Sequence, residues 1–134
     1  MAYYKPDVVE CNGETFKVYL TQDELRERVA ELGNELSHKF KEKNPIFIGV
    51  LNGAYIFLSD LMRHVEISCE VDFLKLSSYG DEKVSSGEVT DLKDIDANIE
   101  DRNVILVEDI VDTGLSMNYL VDKLQKKNPE SIAT

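Results

Sequence analysis

Two adjacent carboxylates, Glu108 and Asp109, stand where a run of four apolar residues, Val104 to Val107, stops. Asp112, Thr113 and Gly114 follow, and then Met117, Leu120, Val121 and Leu124 recur at helical spacing. The apolar run has the form of a strand buried on both faces, and the later residues form one face of a helix. A helix entered through Thr113-Gly114-Leu115-Ser116 offers outward-pointing N–H groups, a favourable dipole and two hydroxyls. Gly114, lacking a Cβ, lets an anion come close to the backbone. These are the components of a phosphate site. The carboxylates upstream suit a different partner: they accept hydrogen bonds from a sugar cis-diol, help hold Mg²⁺ and favour positive charge developing on a sugar. Together they describe a ribose 5-phosphate pocket, with Asp112 between the two groups as a general acid or base.

The elements that position this stretch repeat one construction. Ile46 to Leu51 is a second buried-strand run, delivered through Asn52-Gly53-Ala54 to a helical segment with Tyr55, Leu58, Leu61 and Met62 facing inward. Before it, Thr21-Gln22-Asp23-Glu24 is a capping box. It opens a long amphipathic helix (Leu25, Val29, Leu32, Leu36, Phe40) that runs to about Lys43 and is stopped by Asn44-Pro45. Residues 1–13 read as an irregular arm leading into a short strand in which Phe16, Val18 and Leu20 alternate with polar residues. Ile67, Cys69, Val71 and Phe73 alternate, and then Leu74 and Leu76 change phase, which predicts a third strand with a bulge or twist. Residues 81–102 have little period and read as a long loop. Ser131 to Thr134 begins a further strand beyond Asn128-Pro129. Strands alternating with helices predict an α/β domain, a mostly parallel, twisted sheet with helices on both faces.

The stretch V-E-D-I-V-D-T-G resembles the phosphoribosyl pyrophosphate signature of type I phosphoribosyltransferases, and most closely that of the hypoxanthine-guanine branch. The resemblance implies that Glu108 and Asp109 contact the ribose hydroxyls and Mg²⁺, and that Asp112 is the acid/base near purine N7. It implies that Thr113, Gly114, Leu115 and Ser116 wrap the 5′-phosphate. Leu51, Asn52 and Gly53 fall in the pyrophosphate loop, where many relatives carry a lysine at the position of Asn52. Ser78 and Tyr79 match the pair that closes over the pyrophosphate from a flexible loop, here residues 80–102, and residues 1–20 match a hood over the site. The implied reaction transfers 5-phosphoribosyl from phosphoribosyl pyrophosphate to N9 of hypoxanthine or guanine, with Mg²⁺, in a cytoplasmic homo-oligomer. The family's later segment supplies a lysine for the purine carbonyl, a stacking aromatic and a further acid. None has a counterpart here, so the chain is expected to stop within a sheet strand and to lack the base half of the site.

Composition bounds these readings. A chain of 134 residues accommodates one domain, and 26 acids against 15 bases give a net charge of −11, which argues against nucleic acid or an anionic membrane as partner. No apolar run reaches the length of a membrane span. Cys11 and Cys69, without a CxxC or metal-ligand pattern, read as reduced thiols. Two other classes stay open: a regulatory module of the same fold that binds phosphoribosyl pyrophosphate or a nucleotide without chemistry, and a receiver-like domain whose clustered acids bind Mg²⁺. The second should end a central strand in an acid, but Ile46 to Leu51 runs into Asn52.

Overall fold

A computed structural model describes residues 8–76, 91–111 and 114–134. Its centre is a five-stranded sheet of order β5-β4-β3-β6-β7. The strands are β3 (Ile46–Leu51), β4 (Glu70–Leu76), β5 (Asp91–Lys93), β6 (Asn103–Val107) and β7 (Ser131–Ala133). β3 pairs in parallel with both β4 and β6, β6 pairs in parallel with β7, and β5 alone runs antiparallel, at the edge. Every residue of β6, and all of β3 except Leu51, is buried, which is why Ile46 to Leu51 and Val104 to Val107 are continuous apolar runs.

The helices are α1 (Gln22–Lys39), α2 (Tyr55–Met62) and α3 (Leu115–Gln125). On one face Phe47, Ile105 and Val107 pack with Leu58 and Leu61 of α2, and with Val29, Leu32 and Leu36 of α1. On the other, Ile46, Ile48, Val50, Val104 and Leu106 pack with Leu120 and Leu124 of α3. The doubly covered parallel sheet is the architecture expected from the sequence. The capping box also forms: the Thr21 backbone N–H donates to Glu24 Oε2 at 2.7 Å, and the Glu24 N–H donates to Thr21 Oγ1 at 3.3 Å.

Several boundaries differ from expectation. Helix α1 is capped at Phe40 rather than running to about Lys43, because Glu42 and Asn44 take φ of 64° and 44°, outside the helical region. Within the N-terminal arm, Val8–Cys11 is a strand, β1, paired antiparallel with β2 (Glu14–Lys17). Asn12 and Gly13 join them with φ of 52° and 80°, the left-handed pair that a two-residue hairpin requires. The phase change in β4 is no bulge against β3, whose register runs unbroken from Ile46↔Glu70 to Leu51↔Lys75. It reflects burial on both faces, Phe73 toward α2 and Leu74 toward α3; the irregularity lies in the pairing with β5. In α2, Tyr55 is exposed rather than inward.

The reading of 80–102 as one long loop is corrected over its second half. β5 occupies Asp91–Lys93, and Ile95 and Ile99 are buried in the α3-side core. Asp72 Oδ2 accepts from the backbone N–H groups of Asp96 and Ala97 at 2.7 and 2.8 Å. Asp94 pairs with Lys123 of α3 and with Lys127 just beyond it, at 2.9 and 3.2 Å; burial pushes its carboxyl up, but these pairs and the Ile95 N–H hold it down at about 2. Residues 80–90 of that reading lie outside the described residues.

Candidate active site

The strand order creates a crevice. From β3 the chain passes through α2 to β4 on one side, whereas from β6 it passes through α3 to β7 on the other. Because α2 and α3 cover opposite faces, the turns leaving β3 and β6 diverge at the carboxyl end of the sheet. In open α/β sheets ligands bind at such a switch point. The register Gly49↔Val107 carries Leu51–Ala54 and Glu108–Val111 out of the sheet side by side.

The two turns touch. A Cβ built on Gly53 would fall within the Asp109 carboxylate, so only glycine at this position leaves Asp109 its place. The peptide between Leu51 and Asn52 is cis, and the Ala54 N–H donates to the Val50 carbonyl at 3.1 Å, closing the turn into α2. On the β6 side, the Asp109 N–H donates to Glu108 Oε1 at 3.1 Å and the Ile110 N–H to Asp109 Oδ1 at 3.0 Å. These local bonds orient the acidic pair. Burial, followed by the neighbouring Asp109 carboxylate, pushes Glu108 up to about 7, while the Asp109 backbone N–H pulls it down. Asp109 is exposed at the rim.

Helix α3 begins at Leu115 behind Gly114, which adopts φ 79° and caps the helix without a side-chain bond; no acid occupies the first turn. A Cβ on Gly114 would meet nothing within 4 Å, so this glycine serves its backbone conformation rather than a close contact. Gly114, Leu115 and Ser116 thus open α3 at the same end of the sheet as Glu108, Asp109 and Leu51 to Gly53. Asp112, Thr113, Ser78 and Tyr79 lie outside the described residues.

The acidic pair suits Mg²⁺, which binds through one or two carboxylates and otherwise keeps water and substrate oxygens. Among the described residues no three His, Cys, Asp or Glu side chains converge. Two features escaped the sequence reading. Ile110 and Val111, between the acids, are 74% and 60% exposed rather than part of the core. Lys75 is the register partner of Leu51 at the rim of the crevice, a relation visible only once strand pairing is known.

The phosphoribosyl transferase domain model matches residues 19–134. The chain belongs to the phosphoribosyltransferase family. It is 42% identical over 116 residues to the hypoxanthine-guanine phosphoribosyltransferase of Bacillus subtilis, covering 87% of this chain and 64% of that one. It is 44% identical over 120 residues to the enzyme of the same name from Streptococcus pyogenes, covering 88% and 67%. A crystal structure of a hypoxanthine-guanine phosphoribosyltransferase from Bacillus anthracis, with a HEPES molecule in its active site, superimposes with a TM-score of 0.79. The identity there is 37%, covering 87% of this chain and 69% of that one. The chain therefore spans about two thirds of the length of those relatives.

Proposed function

We propose that this chain carries the phosphoribosyl pyrophosphate half of a 6-oxopurine phosphoribosyltransferase site, serving purine salvage. The observation that carries the reading is the contact between Gly53 and Asp109, which joins the β3–α2 and β6–α3 turns into one crevice. In the reaction, the bond from ribose C1 to the pyrophosphate oxygen breaks and the bond to purine N9 forms, with positive charge building on the sugar between the two events. Glu108 and Asp109 hold the ribose hydroxyls and oppose that charge. Asp112 takes the purine proton. Thr113, Gly114, Leu115 and Ser116 hold the 5′-phosphate at the start of α3. Leu51, Asn52 and Gly53 hold the pyrophosphate, with Ser78 and Tyr79 assigned to the same side by sequence position. Mg²⁺, held by Glu108 and Asp109, would neutralise the departing pyrophosphate.

Residues 1–20 are proposed as the hood and the segment from residue 80 as the flexible loop. Hypoxanthine and guanine as acceptors, self-association and a cytoplasmic location belong to the same proposal. Among the described residues no helix is long and apolar enough to cross a membrane. Relatives named as enzymes favour catalysis over a binding module without chemistry.

The test is calorimetric titration with phosphoribosyl pyrophosphate, with and without Mg²⁺. Saturable, Mg²⁺-dependent binding that Asp109→Asn weakens by about tenfold or more is expected. Absence of binding by a chain that circular dichroism shows to be folded would overturn the reading.

A further inference from the structure

The proposed pyrophosphate subsite has a charge problem. Pyrophosphate is strongly anionic, yet Leu51-Asn52-Gly53-Ala54 contains no cation, nor do the described residues of the β6–α3 turn, Glu108 to Val111 and Gly114 to Ser116. Two of those residues are acids, in a chain of net charge −11. Among the described residues, the carboxyl ends of the four parallel strands β3, β4, β6 and β7 present one basic residue, Lys75.

Its position is set by the sheet. Lys75 is the parallel partner of Leu51, the residue from which the turn departs. Phe73 packs toward α2, whereas Leu74 and Leu76 pack toward α3. Alternation therefore puts Lys75 on the α2 face, beside the turn that opens that helix. Across the edge pair it faces Lys93, a like-charge juxtaposition that costs stability. Lys93 is fully occupied: its Nζ donates to the Phe73 and Asp94 carbonyls at 2.9 Å each and pairs with Asp72 and Asp96 at 3.6 and 3.2 Å. Lys75 enters no described ion pair. A half-buried lysine held beside another lysine, uncompensated among the described residues and one strand from the turn assigned to the pyrophosphate, is placed to meet an anion.

We propose that Lys75 binds the pyrophosphate group of phosphoribosyl pyrophosphate, supplying the charge that the Leu51–Ala54 turn lacks. This rests on the assignment of the crevice made above. A lysine acts here as a point charge, so the effect should follow charge and be confined to ligands that carry the diphosphate.

Lys75→Gln and Lys75→Arg should be titrated, beside the wild type, with phosphoribosyl pyrophosphate, inorganic pyrophosphate and ribose 5-phosphate in Mg²⁺. Lys75→Gln is expected to weaken the two diphosphate ligands by about tenfold and to leave ribose 5-phosphate unchanged, with Lys75→Arg restoring most of the loss. Thermal unfolding at or above the wild-type midpoint in Lys75→Gln, from relief of the Lys93 repulsion, would separate binding from folding. Wild-type binding of phosphoribosyl pyrophosphate with no loss in Lys75→Gln would overturn the role of Lys75 alone. Equal losses for all three ligands would overturn it also. A wild type that binds none of them would overturn the crevice assignment and this proposal together.

Discussion

The turns after β3 and β6 begin alike and end differently. Each leaves a strand buried on both faces and enters a helix through a glycine-containing turn, yet the two glycines answer different demands. Gly53 makes room: the Asp109 carboxylate occupies the volume a side chain would take, and an added Cβ would displace it. Gly114 is required by conformation, since its φ is 79° and its surroundings are open. The β3–α2 turn is short, contains no acid and enters α2 through Ala54 in an ordinary helical conformation. The β6–α3 turn is longer and carries Glu108, Asp109 and Asp112 as well as the exposed Ile110 and Val111. In the proposed reaction one turn is the seat of the pyrophosphate and the other presents the acids that face the sugar and the purine. A sequence scan for glycines treats the two as equivalent, and the fold separates them.

That division predicts the largest effect at Asp112. In a chain extended to carry the base half of the site, Asp112→Asn should lower the rate of nucleoside monophosphate formation by about a hundredfold and change the Kd for phosphoribosyl pyrophosphate little. Equal losses in rate and binding would remove the acid/base role. A smaller effect should distinguish the glycines by stability. Gly114→Ala should cost about 1 kcal/mol in denaturant unfolding from its left-handed backbone, and Gly114→Asn less. Equal costs for the two substitutions would contradict a purely conformational role.

The smallest effect concerns pH. Glu108 titrates near 7 in the folded chain, against an ordinary value of 4.5. The folded state therefore holds this proton more tightly than the unfolded state. The corresponding stability is fully present below about pH 4.5 and is lost as pH rises through about 7. Between pH 5 and pH 8 the thermal midpoint of the wild type should fall more than that of Glu108→Gln. Parallel falls would show that Glu108 is not desolvated.

The β6–α3 stretch was legible in the sequence because its signals are local: a continuous apolar run, a glycine and a helical period. The β1–β2 hairpin was missed although Asn12-Gly13 is a two-residue turn signal, because flanking strands exposed along their whole length carry no inward-facing period to mark them. The order of residues 91–102 was not legible either. The segment is held by bonds from the Asp96 and Ala97 N–H groups to Asp72 on β4 and by pairs of Asp94 with Lys123 on α3 and Lys127 beyond it, with partners between 24 and 33 residues apart in the chain. The seating of Asp109 on Gly53 was equally hidden, because it depends on the register of β3 against β6.

The claim on which the account rests is that the two turns form one site through that seat. The most direct measurement is a double-mutant cycle on phosphoribosyl pyrophosphate binding in Mg²⁺, using Gly53→Ala, Asp109→Asn and the two combined. Each single substitution is predicted to weaken binding by about tenfold or more, and the combination is predicted to bind no more weakly than the worse of the two. Losses that multiply in the double variant, or wild-type binding by Gly53→Ala, would contradict it.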